Sequence, residues 1–206
     1  MGEGKRVAAR LQVARRIMRV GQAAGGRFGS DHTAVYALLM SGIASCLGLR
    51  WTEGNRFFER ARERIDSSGV GREWTMFIHG FEALCWAGLG EGERSLALAR
   101  RGVAQARANA LDLPQIWQGA LHARVFRMVG WHEHQDERAA SIAETLALIE
   151  RTDMQGFLSL LLLERAGLAR ICGDNDAMAR DLAEARRLFV KMEVTGWDDY
   201  TKSIEA

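Results

Sequence analysis

The sequence predicts an all-α chain: a right-handed superhelical array of four helix–turn–helix repeats, preceded by one extra N-terminal helix. Three observations lead there. The first is composition. Of 206 residues one is proline, Pro114, and β-branched residues are sparse beside Ala, Leu, Arg and Glu, a balance that favours helix. The second is a register that recurs about every forty residues: Gly42, Ala83, Ala123 and Ala166 stand 41, 40 and 43 residues apart. Further columns follow at fixed offsets: Leu49, Gly90, Gly130 and Gly173, then Phe58, Ala99, Ala139 and Leu182, then Ala61, Gly102, Ile142 and Ala185. The third is an asymmetry within each repeat, an apolar first helix followed by a charged second one. Units that repeat at this period bury their apolar faces against neighbours, and so form solenoids.

The elements follow in order. Residues 3–24 carry an apolar stripe at helical spacing, Val7, Leu11, Ala14 and Met18, which the run Gly25-Gly26-Arg27-Phe28-Gly29 ends. We take 1–29 as a capping or orphan repeat helix and 30–206 as the repeat array with a short C-terminal segment. Four pairs are expected: 30–49 with 53–67, 71–89 with 91–109, 113–129 with 133–151, and 154–172 with 175–192. A last segment begins near Gly196-Trp197. Asp112 with Gln115, and Thr152 with Gln155, have capping-box spacing, and Pro114 falls in a first turn where its missing N–H costs nothing. Asp174 and Asp176 place negative charge at a positive helix start. Gly90, Gly130 and Gly173 supply turns within pairs.

Composition and charge limit the function. The 28 basic and 26 acidic residues leave a formal charge of +2, which calls for neither nucleic acid nor an anionic membrane. The run Lys5, Arg6, Arg10, Arg15, Arg16, Arg19 and Arg27 is basic, but no aromatic platform interleaves it, so we read a solvated face. Cys46, Cys85 and Cys172 form neither a disulfide framework nor a zinc pattern, and fit buried reduced thiols in the cytoplasm. The uncharged stretch 33–49 contains Ile43-Ala44-Ser45-Cys46, which looks like a lipoprotein cleavage box. It begins too late for a signal peptide and is too short to span a bilayer, so no membrane association is expected.

The columns resemble the tetratricopeptide repeat: a small residue in mid-first-helix, a glycine at the turn, then an apolar and a small residue in the second helix. The likeness covers 30–192. It departs from the usual pattern in its longer period and in lacking the proline that closes each second helix. Such long repeats are similar to the C-terminal regions of bacterial signalling proteins that carry a Ser/Thr kinase, cyclase or signal-transduction ATPase. Ala183-Glu184-Ala185-Arg186-Arg187-Leu188-Phe189 followed by Gly196-Trp197, and Val70-Gly71-Arg72-Glu73-Trp74, carry that likeness. The resemblance implies a regulatory or scaffolding module that is part of, or derived from, such a protein.

No chemistry-bearing motif contradicts this. There is no phosphate loop, no His-Arg-Asp loop and no Gly-x-Ser-x-Gly elbow, so the chain is read as non-catalytic, without cofactor. Trp131-His132-Glu133-His134-Gln135-Asp136 clusters possible ligands, but not with zinc spacing, and no metal is expected. Binding is expected in the groove lined by the first helices, through Tyr36, Phe77, Trp117, Arg124, Arg127 and Arg170. Arg124 and Arg127 could clamp a peptide carboxylate. The lysine/asparagine set with which some tetratricopeptide domains hold chaperone C-termini is missing. The partner is a protein or peptide; the alternatives are a small-molecule sensor with its ligand inside the superhelix, and self-association through residues 1–24. The three differ in the surface they require.

Overall fold

The computed structural model describes residues 30–130 and 133–193, together with Thr201 and Ile204. The N-terminal segment 1–29, the ligand-like Trp131 and His132, and the Gly196-Trp197 segment lie outside the described residues. Every regular element among the described residues is helical. We number them α1 (Ser30–Leu47), α2 (Trp51–Ser68), α3 (Thr75–Gly88), α4 (Gly92–Ala108), α5 (Asp112–Val129), α6 (Gln135–Thr152), α7 (Leu158–Ile171) and α8 (Asn175–Lys191). Short 3-10 turns, Arg72–Trp74 and Gln155–Phe157, lead into α3 and α7. The predicted pairs therefore form α1/α2, α3/α4, α5/α6 and α7/α8. The chain gathers into two compact units, Met1–Gly102 and Val103–Ala206, with the boundary inside α4.

In the first unit α1, α2 and α3 pack on one another. Phe58 of α2 is their hub. Its ring fills the place of the missing side chain at Gly42 on α1, where a Cβ would lie 2.8 Å from Phe58 Cδ1, and it stacks on Phe81 of α3 at 6.4 Å. Val35, Leu39, Ile65, Ile78 and Leu84 complete the buried core. In the second unit α7 is buried on two faces. Leu161 joins Ile116, Ala123, Ile142 and Ile149 from α5 and α6, while Leu162, Leu163 and Ala166 join Leu182, Ala185, Leu188 and Phe189 of α8. This is why the first half of that helix is nearly continuous leucine: both of its packing faces are covered, and Arg165 is its one exposed residue. Burying each such side chain contributes about 1.5–3 kcal/mol.

The turn column is conformational. Leu49, Gly90 and Gly173 take φ of +61°, +84° and +75°, the left-handed region that glycine enters without cost and leucine does not. Gly130 differs: its φ is −161°, extended backbone open to any residue. The expected capping boxes do not form. Asp112 gives its carboxylate to Arg151, and Thr152 returns its hydroxyl to the Leu148 carbonyl. Asp174 does cap α8, accepting from the Ala177 N–H at 2.9 Å. No helix among the described residues is long and apolar enough to cross a membrane.

The closest approach is at Gly119, where a Cβ would overlap the Thr145 hydroxyl and lie 3.1 Å from Thr145 Cβ. Gly119→Ala gains about 1 kcal/mol of helix propensity, but overpacking of this kind costs about 1–3 kcal/mol. Urea unfolding should show the variant destabilised, and the loss should vanish or reverse in a Thr145→Ala background. An equal loss in both backgrounds would contradict the contact.

Candidate functional site

Aromatic side chains meet at one register position in both units. Tyr36, Phe77 and Trp117 occupy a single column, six residues before the small residue of each first helix. Three residues before that column stand Trp74 and Phe157, each closing a 3-10 turn. In the first unit Trp74 packs between Tyr36, at 5.5 Å, and Phe77, at 5.8 Å, with the His32 ring edge at 6.2 Å. Glu73 reaches His32 Nδ1 at 3.6 Å from the rim. In the second unit Phe157 meets Trp117 edge-on at 5.2 Å. All five aromatic residues are half-buried, each leaving part of its surface to solvent.

Local backbone sets Trp74 in place. Gly71, with φ of +82°, turns the chain so tightly that a Cβ there would stand 3.0 Å from Val35 and 3.3 Å from the Trp74 ring. The indole N–H of Trp74 is buried without a hydrogen-bond partner. The rings stand too close together to enclose a cation between them, so the cluster offers their outer surfaces.

The predicted arginines have other duties. Arg127 of α5 donates to Glu164 of α7 at 2.9 Å with both side chains largely buried. Arg170 donates to the Ile204 carbonyl at 2.8 Å. Arg124 is half-buried on α5. The structure thus brings Tyr36 and Phe77 together about Trp74, seats Trp117 on Phe157, and ties Arg127 and Arg170 to groups of the chain itself. Trp74 and Phe157 were not among the groove residues expected from sequence; their offset from the aromatic column was the available signal.

Buried carboxylates sit on α3 and α7. Glu82 has no exposed surface and receives Arg62 of α2 at 2.8 Å. Glu164 holds Arg127, and Arg138 of α6 reaches both its carbonyl, at 2.6 Å, and its carboxylate, at 3.4 Å. Farther out, Arg165 grips Asp181 of α8 with two hydrogen bonds, at 2.6 and 2.7 Å, which raise its own pKa. Burial holds the Glu82 carboxyl above the usual range, against the lowering influence of Arg62 and the Trp86 indole.

One arrangement brings together residue types that no spacing along the chain links. Ser141 Oγ lies 2.9 Å from His122 Nδ1, and Glu137 Oε1 lies 3.5 Å from His122 Nε2. The order hydroxyl, imidazole, carboxylate is that of a nucleophile with its base and orienting group. However, Ser141 and His122 are buried between α5 and α6. Ser141 also lies inside α6, where backbone N–H groups bond to the preceding turn and cannot serve a developing oxyanion. The trio acts as a polar bridge between two helices. Among the described residues no three His, Cys, Asp or Glu side chains are grouped to hold a metal ion.

No protein family, characterised protein or solved structure matches the chain.

The raised pKa of Glu82 has a testable sign. The folded chain holds this proton more tightly than the unfolded chain, so the contribution to stability is greatest below the ordinary carboxylate pKa and falls as pH rises through the raised value. Glu82→Gln removes that titration. The stability of the parent relative to the variant, from urea unfolding at successive pH values, should fall from acid toward neutral pH. A flat or rising difference would refute the assignment.

Proposed function

We propose that this chain is a non-catalytic helical-repeat module that binds a protein or peptide segment, in a regulatory or scaffolding role. The carrying observation is the recurrence of half-exposed aromatic pairs, Tyr36 with Trp74 and Trp117 with Phe157, at equivalent positions in the two units. Rigid aromatic rings that already surrender part of their surface to packing bind further apolar surface at low entropic cost, as interface hot spots do. The Trp74 indole N–H adds a donor without an acceptor of its own. In this reading the aromatic rings anchor the ligand, while Arg127 and Arg170 brace the chain itself.

The finer architecture belongs to the same proposal. The pairs wind into a right-handed superhelix with first helices inside, and the module serves a larger bacterial signalling protein in the cytoplasm. Support for this comes from the repeat columns and their likeness to tetratricopeptide arrays, and from the packing of helices on their chain neighbours within each unit.

Random-peptide phage display on the intact chain tests the reading. Enriched peptides should bind Trp74→Ala and Trp117→Ala at least tenfold more weakly than the parent, the loss of an aromatic anchor costing about 2 kcal/mol. Arg64→Ala, on the charged face of α2, should bind unchanged. Circular dichroism verifies folding, and Tyr36→Leu stands in if Trp74→Ala unfolds. No enrichment, or equal binding by all variants, would overturn it.

A further inference from the structure

Two of the three cysteines lie together in the first unit. Cys46 near the end of α1 is 2% exposed and Cys85 of α3 has no exposed surface. The Cys46 thiol reaches the Phe81 carbonyl at 3.8 Å, and Phe81 stands one helical turn before Cys85. Gly54 of α2 closes over both: a Cβ there would lie 2.8 Å from the Cys85 sulfur and 3.5 Å from the Cys46 backbone nitrogen. A larger residue at 54 would push the Cys85 sulfur aside. Cys172, in contrast, is exposed in the turn after α7, against the expectation that all three thiols are buried.

We propose that Cys46 and Cys85 form an oxidisable dithiol that closes to an intramolecular disulfide, tying α1 to α3 beneath Gly54. Two S–H bonds break and one S–S bond forms. The two electrons and two protons pass to a two-electron oxidant, either a peroxide, reduced to water, or a small-molecule disulfide, reduced to two thiols. The Cys46 sulfur already rests on the turn of α3 that ends in Cys85, and both cysteines lie beneath the same glycine, so side-chain rotation is the movement that closure to a bond of ~2.05 Å calls for.

The environment sets the rate. The neighbouring Cys46 thiol and burial push the Cys85 thiol up, so Cys85 thiolate is scarce at neutral pH. The exposed Cys172 reacts first, and between molecules. Once closed, the bond joins helices separated in sequence by all of α2, which restricts the unfolded chain and stabilises the unit.

Intact-mass measurement on the Cys172→Ser chain tests the pair. The folded protein is incubated with oxidised glutathione or with hydrogen peroxide, quenched in acid, then denatured and alkylated with iodoacetamide. The expected product has lost two hydrogens and takes up no alkyl group. A non-reducing digest should yield a peptide joining Cys46 to Cys85, and the melting temperature should rise until dithiothreitol restores it. Gly54→Ala keeps both thiols but displaces one sulfur, and should slow closure at least tenfold. Two alkylatable thiols after exhaustive oxidation, a stable glutathione adduct, added oxygen in place of lost hydrogen, or unslowed closure in Gly54→Ala would each overturn the proposal.

Discussion

The fold depends on helices approaching so closely that a side chain of one occupies the space of a missing side chain on the next. Phe58 takes the room left at Gly42, Thr145 the room at Gly119, and Trp51 the room at Gly88, where a Cβ would lie 2.6 Å from the indole nitrogen. Cys85 takes the room at Gly54. These insertions fix spacing and rotation together, because a side chain that enters a glycine gap cannot slide along the helix without striking the next residue. Close packing of this kind tolerates little change of volume on either side.

The polar chemistry follows from that spacing. Arg62 reaches Glu82, and Arg127 and Arg138 reach Glu164, only because the intervening helix faces are small. Gly167 lies beneath these arginines: a Cβ there would stand 3.1 Å from Arg138 Nη2 and 3.3 Å from Arg127 Cδ. A buried carboxylate with its arginine adds little net stability over an apolar pair, but losing one partner strands a charge and costs about 3–5 kcal/mol. Such pairs therefore act mainly to penalise wrong registers. In each aromatic couple one ring closes the 3-10 turn that leads into the next pair, and both rings keep part of their surface exposed. Trp86, by comparison, is roofed by the Arg94 guanidinium at 3.6 Å.

Much of this was legible in the sequence. All four pairs appear, with helix ends within a few residues of those read from periodicity, and Ala83, Ala123 and Ala166 are all fully buried. The register slips once. Ala139, expected inside, is exposed, and its neighbour Arg138 is buried instead, because Glu164 of α7 supplies a partner that no pattern within α6 could disclose. Local spacing marks Asp112 as a cap, but Arg151, thirty-nine residues on, claims its carboxylate. The same limit hid the Ser141, His122 and Glu137 trio and the meeting of Trp74 with Tyr36. Each depends on which faces two helices turn to each other, which is a property of packing. The Cys46 and Cys85 thiols were legible as buried but not as neighbours, and Cys172 departs from the expected burial because its turn leaves it uncovered.

The central claim is that inserted side chains in glycine gaps set the helix spacing, and nuclear Overhauser spectroscopy of the labelled chain measures this directly. The account predicts strong cross-peaks from the Phe58 ring protons to the Gly42 α-protons, and from the Thr145 methyl to the Gly119 α-protons. If both residue pairs are assigned and give no cross-peak, while the Phe58 ring and the Thr145 methyl show contacts elsewhere, the helices are spaced by something else and the account fails.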